Sequence, residues 1–194
     1  MTILQQCITI FGCLLIIISA GCISIDTGVN SGPAVKPSMD MPESTQSHLF
    51  TRMDIPMTDL IRGRSLTLKD LILEKKPVII HTFAVWCPAC SAQLRETTRL
   101  TYDYPGRYTV LAIDIDPREE ESLIKNHILT NGFNGIVVRA PEQISRDLLQ
   151  NLGNGISLTL PQTIILCNGT PTILGDTLYD ESSLCNTISN LCQK

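Results

Sequence analysis

The stretch Pro77-Val-Ile-Ile-His-Thr-Phe-Ala-Val-Trp-Cys-Pro-Ala-Cys90 decides the fold. Its first part, Pro77 to Ala84, is a continuous apolar and β-branched run, the pattern of a strand buried on both faces. Residues Ala89 to Leu100 then read as a helix, so the two cysteines fall at the junction where a strand hands over to a helix. At that junction the unpaired N–H groups and the positive end of the helix dipole stabilise a thiolate on Cys87, lowering its pKa and making it a nucleophile at neutral pH. Cys90 lies one turn further in, behind Cys87, where it can displace a mixed disulfide once one has formed. Half of a zinc site has the same spacing, but the domain offers no second C-x-x-C or Cys/His pair at ligand spacing, so no metal is expected. A purely structural disulfide is the remaining alternative.

Outward from this junction the chain alternates strand and helix. Tyr108 to Ile115 reads as a second buried strand, and Pro117 to Leu129 as a helix with acidic residues and Pro at its first turn. Ile136 to Val138 reads as a short strand, and Pro141 to Leu152 as a helix closed by Gly153 and Gly155. Gln162 to Leu166 and Thr170 to Leu174 flank Asn168-Gly169, a strong hairpin dipeptide, and Ser182 to Leu191 closes the chain as a helix. Parallel strands followed by an antiparallel hairpin predict an α/β fold, a mixed central sheet covered by helices on both faces.

Before the domain the character changes. Met1 to Ile25 carries no charged side chain, and Ile8 to Ala20 is an apolar block of signal-peptide length. The block ends in Ser19-Ala20-Gly21-Cys22, similar to a lipobox, which makes residues 1–22 a lipoprotein-type signal with Cys22 as the lipid attachment point. The alternative is an uncleaved membrane-anchoring helix. Residues 23–48, rich in Gly, Pro, Ser and Thr, read as a flexible linker, and residues 49–194 as the folded domain. Either form of tether places that domain at the cell membrane on the extracytoplasmic side.

The chain has 194 residues, enough for one domain and a tail. With 15 basic against 19 acidic residues and a net charge of −4, it lacks the basic footprint of a nucleic-acid-binding protein. Eight cysteines are many for a cytosolic protein and few for a disulfide-dense scaffold.

Phe83-Ala-Val-Trp-Cys-Pro-Ala-Cys90 after a buried strand, with Leu160-Pro161 before the terminal hairpin, resembles the thioredoxin superfamily. The tethered start and the lead-in from Met53 to Lys76 are similar to the extracytoplasmic TlpA/ResA-type thiol:disulfide oxidoreductases. The resemblance implies a thioredoxin-like three-layer fold and an enzyme that exchanges disulfides through Cys87 and Cys90 without a cofactor. It further implies a cis Pro161 packed against the active-site disulfide, with the backbone of Leu160 offered to a substrate strand. Trp86 adjoins the pair, and the intervening Pro88-Ala89 tunes its potential. In the family pattern His81 occupies the place of a buried acid beneath the resolving cysteine. It is either a base toward Cys90 or a space-filling histidine with a backbone partner. His48 and His127 read as surface residues.

The implied partners are exported proteins bearing thiols or disulfides, together with a membrane redox protein that renews the pair, and the implied direction is reduction. A thioredoxin-fold copper chaperone using the same cysteines is the alternative from a different class. Among the remaining cysteines, Cys185 and Cys192 would lie about 10 Å apart along a helix, too far to bridge. Cys167 could reach either of them.

Overall fold

The computed structural model describes Phe50 and residues 53–192. The proposed signal or anchor of residues 1–22 with Cys22, the linker of residues 23–48, and His48 lie outside the described residues.

A five-stranded sheet forms the centre. In chain order its strands are β3 (Val78–Phe83), β4 (Thr109–Asp114), β5 (Ile136–Arg139), β6 (Gln162–Cys167) and β7 (Thr170–Gly175), following a short hairpin of β1 (Met57–Thr58) and β2 (Ser65–Leu66). The spatial order is β5-β4-β3-β6-β7, with β3, β4 and β5 parallel and β6 and β7 antiparallel. All six residues of β3 and all six of β4 are buried, as expected of strands covered on both faces. The β6–β7 turn has Asn168 at φ 53° and Gly169 at φ 86°, the two left-handed positions that an Asn-Gly hairpin turn supplies.

The helices are α1 (Leu68–Leu73), α2 (Pro88–Asp103), α3 (Glu121–Asn131), α4 (Glu142–Leu152) and α5 (Glu181–Cys192). Alternation along the strands divides the core between the two sheet faces. Ile80, Leu111, Ile113, Val138 and Ile164 pack with Leu71 of α1 and Leu148 of α4. On the other face, Phe83, Ala112 and Val137 pack with Cys90 and Leu94 of α2 and with Ile124 and Ile128 of α3. The result is the helix–sheet–helix layering of a thioredoxin-like fold.

Several elements depart from the sequence reading. The residues between Met53 and Lys76 form the β1–β2 hairpin and α1. Buried Asp59 pins this hairpin, accepting from the Ile61 N–H at 3.1 Å and pairing with Arg62 at 3.1 Å. The Leu60 N–H donates to the Val137 carbonyl at 2.7 Å and so covers the edge of β5. Helix α3 begins at Glu121 rather than Pro117, because Asp116 Oδ1 accepts from the Arg118 N–H at 3.0 Å and its carbonyl from the Glu119 N–H at 3.1 Å. That tight turn directs Glu119 inward and delays the helix. Helix α4 ends at Leu152, yet Gly153 is extended rather than left-handed. Glycine is needed there for a different reason: an added Cβ would stand 2.2 Å from the Ser157 carbonyl oxygen.

Of the cysteines in the C-terminal region, Cys167 bonds Cys192 across a Cα–Cα distance of 5.2 Å. The bond fastens the last turn of α5 to the end of β6. Buried Cys185 has its sulfur 3.6 Å from the Tyr108 hydroxyl.

Candidate active site

Cys87 is the N-cap of α2 and Pro88 its first residue, where a missing N–H leaves no helical bond unmade. The Cys87–Cys90 disulfide spans a Cα–Cα distance of 5.3 Å, and Cys87 Sγ accepts from the Cys90 N–H at 3.2 Å. The sulfur of Cys87 therefore lies among the free donors of the helix start, the arrangement that stabilises an anionic sulfur. Cys87 is 5% exposed and Cys90 1%, so an incoming group reaches Cys87 first. Pro88 is exposed and Ala89 half-buried on the first turn.

The Leu160–Pro161 peptide is cis, Pro161 is buried, and half-buried Leu160 packs on the cluster that contains both cysteines. The structure thus brings Cys87, Cys90, Leu160 and Pro161 together at one end of the sheet. Trp86 is 62% exposed, and its Nε1–H donates to Asp116 Oδ2 at 2.8 Å. Arg118 pairs with the same carboxylate at 2.8 Å. The hydrogen bonds from Arg118, reinforced by the one from Trp86, hold the Asp116 carboxyl well below the usual carboxylate range.

His81 is buried on β3, and the hydrogen-bond partners of its ring are two threonines rather than Cys90. Its Nε2 lies 2.7 Å from Thr97 Oγ1 and its Nδ1 3.1 Å from Thr163 Oγ1. The Thr97 hydroxyl already donates to the Gln93 carbonyl at 3.0 Å, which assigns the ring proton to Nε2 and makes Thr163 the donor to Nδ1. Both nitrogens are satisfied by side-chain hydroxyls rather than by backbone. Burial pushes the imidazole down to about 3, so it stays neutral at physiological pH and takes no proton there. His127 is half-buried rather than free on the surface, its Nε2 3.2 Å from the hydroxyl of Ser91, the residue after Cys90.

The sequence reading also passed over a buried carboxyl pair. Asp114 ends β4 in register with Phe83, and Glu119 turns in behind it; both are buried. The Val85 N–H lies 3.0 Å from each oxygen of the Glu119 carboxylate. Burial, and then the neighbouring Glu119 carboxylate, push the Asp114 carboxyl up to about 9, leaving it protonated at neutral pH. The available signal was an acid near the end of a strand read as buried. Beside the same strand end, a cleft of about 660 Å³ is lined by Leu60, Asp114, Asp116, Arg139, Glu142 and Leu149, among others.

No protein-family model matches the chain, and no curated protein sequence matches it. Solved structures do. A thiol:disulfide interchange protein of the thioredoxin family from Chlorobium tepidum is 18% identical over 71% of this chain and 92% of its own, with a TM-score of 0.58. A secreted Mycobacterium tuberculosis disulfide oxidoreductase homologous to E. coli DsbE is 15% identical over 72% and 97%, at 0.57. A thioredoxin-related protein from Neisseria meningitidis serogroup B is 18% identical over 71% and 99%, at 0.58. The fold is that of thioredoxin. Within it the chain carries a C-x-x-C pair, Cys87 and Cys90, at the start of α2.

Proposed function

We propose that this protein is a membrane-tethered, extracytoplasmic thiol:disulfide oxidoreductase that reduces disulfides in exported proteins. The observation that carries the reading is the Cys87–Cys90 disulfide at the N-terminus of α2, with the less buried sulfur belonging to Cys87. In the reduced enzyme the Cys87 thiolate attacks one sulfur of a substrate disulfide. A mixed disulfide forms, and the other substrate sulfur leaves with the electron pair and takes up a proton. Cys90 then loses its proton and attacks Cys87 Sγ, closing the intramolecular disulfide and releasing the second substrate thiol. Two electrons pass to the substrate, and a membrane redox protein returns them to Cys87 and Cys90.

The uncharged segment from Met1 to Ile25, with Cys22 following small residues, supports the tether and the extracytoplasmic address. The Mycobacterium tuberculosis protein of the same fold is described as secreted, which supports that address. Among the described residues no helix is long and apolar enough to cross a membrane, so the tether would lie in the N-terminal segment. Cys87 and Cys90 are separated by two residues, whereas copper carriers of this fold normally separate theirs by three, which favours exchange over copper carriage.

The test is trapping. Cys90→Ser should accumulate a mixed disulfide with a reducible substrate such as insulin, whereas Cys87→Ser should accumulate none. Tight equimolar copper binding without any exchange would move the assignment to a metal chaperone.

A further inference from the structure

Val85 stands two residues before Cys87, in the turn between β3 and α2, where its N–H has no sheet partner to bond. Glu119 supplies one: both carboxylate oxygens lie 3.0 Å from that N–H. Glu119 is only 5% exposed, so it holds the loop from inside the protein. Behind it lies Asp114, fully buried, with neither carboxyl oxygen hydrogen-bonded among the described residues. The backbone around Asp114 is tied on both sides, with its carbonyl accepting from the Ala140 N–H at 2.8 Å and the Ile115 N–H donating to the Phe83 carbonyl at 3.0 Å. It cannot easily turn outward. Two buried carboxyl groups this close cannot both be ionised without a large penalty.

We propose that Asp114 and Glu119 work as one carboxyl pair behind the active-site loop. Glu119 is the positioning residue that fixes the loop through the Val85 N–H, and Asp114 carries the proton that lets both groups sit there. This inference rests on the disulfide-exchange reading. An ionised Glu119 makes a charge-assisted bond to Val85 and so fixes the approach to Cys87. A protonated Asp114 keeps a second negative charge away from the cysteines until the pH is alkaline. Burial and Glu119 hold the Asp114 proton up to about pH 9.

Other charges face this pair. From the end of β4 and the following turn come Asp116 and Arg118, already paired at 2.8 Å, and His127 of α3 interacts with Glu119 through space. Arg139, in register with Asp114 on β5, donates to the Pro117 carbonyl. Asp116 and Arg118 keep their charge across neutral and alkaline pH, and His127, lowered chiefly by burial, is neutral there. Reduced cysteine thiols also titrate in the alkaline range, at about 8.5 when free, so Asp114 is identified by its own carboxyl band.

The experiment uses the full-length protein and compares Glu119→Ala, Glu119→Gln and Asp114→Asn with wild type. Reduction of the Cys87–Cys90 disulfide by dithiothreitol is followed at pH 7, the midpoint potential is followed from pH 6 to 10, and infrared spectra are recorded for a protonated carboxyl band. Glu119→Ala should slow reduction about tenfold, the rate equivalent of one charge-assisted hydrogen bond. Glu119→Gln, which retains an acceptor for Val85, should stay within about threefold of wild type, the weaker neutral bond accounting for the remainder. Asp114→Asn should lose the carboxyl band, while the bend that the two thiols impose on the potential remains.

A folded Glu119→Ala protein that reacts at the wild-type rate would overturn the positioning role. An Asp114→Asn protein that keeps the band would overturn the proton assignment. Wild-type protein that shows no exchange at all would count instead against the oxidoreductase reading, and the infrared band would then judge the pair alone.

Discussion

Trp86 Nε1 donates to Asp116 Oδ2 at 2.8 Å, which fastens an indole that is 62% exposed to the end of β4. The residue immediately before Cys87 is therefore oriented by a carboxylate from the neighbouring strand end rather than by packing. Arg118 closes the same carboxylate from the other side, so the site's rim is a ladder of three side chains, Trp86, Asp116 and Arg118.

That ladder should fail in acid. The hydrogen bonds of Arg118 and Trp86 depress the folded-state pKa of Asp116. Its contribution is therefore complete above the unfolded value of 3.8 and is lost as the pH falls below it. Trp86 fluorescence should change progressively as the pH drops from 4 toward 2, and Asp116→Asn should remove that change. An identical acid response in the variant would show that the indole is held by something else.

His81 gives a second acid limb with a different window. Its folded-state pKa of about 3 lies below the ordinary 6.5, so the unfolded chain binds more protons between those values. Stability from this residue is complete above pH 6.5 and declines as the pH falls from 6.5 toward 3. Replacing it with Phe should flatten that decline in urea titrations. It should also cost about 1–3 kcal/mol at pH 7, because the Thr163 hydroxyl is left buried without its acceptor.

The bridge between Cys167 and Cys192 closes a 25-residue separation. In the chain-entropy view its removal by a double Cys→Ser change should lower stability by about 3 kcal/mol. Exchange through Cys87 and Cys90 should persist in the folded variant, since the bridge lies at the far end of β6 from Pro161. Guanidinium unfolding and an insulin-reduction assay on the same sample would read the two effects separately.

Gly153 links stability to the site. A Cβ there meets the Ser157 carbonyl oxygen at 2.2 Å, so Gly153→Ala must displace the loop that leads to Leu160 and Pro161. A loss of about 1–3 kcal/mol, with slower exchange, is expected from such overpacking. A variant with unchanged melting and unchanged exchange would mean that the loop moves without consequence for Leu160.

Much of this architecture is legible in the chain because it rests on short-range signals. The β-branched runs of β3 and β4, the Asn168-Gly169 turn and the junction at Cys87 each announce themselves within a few residues. The β1–β2 hairpin does not, since it has two residues per strand and exists by virtue of Asp59 and a bond to Val137. Helix α1 had a signal that was passed over, the capping pair Thr67 and Asp70, in which each side chain accepts from the other's backbone N–H. The start of α3 was misread because Pro at a first turn is only a tendency, whereas the Asp116 turn is a specific competing bond. Glu119 meets Val85, 34 residues away in the chain, because β4 lies beside β3, which no local pattern records. The surroundings of His81 have the same cause: Thr163 lies 82 residues away in the chain.

The central claim is that Cys87 and Cys90 form a reversible redox pair with reducing character. The most direct test is their equilibrium with a thiol buffer in the full-length protein, followed by the fluorescence of Trp86, the chain's only tryptophan. A reversible two-electron transition with a midpoint near the thioredoxin value of about −270 mV is the expected result. A midpoint near about −120 mV would make the protein an oxidant instead. The absence of any reversible two-electron transition would contradict the oxidoreductase assignment itself.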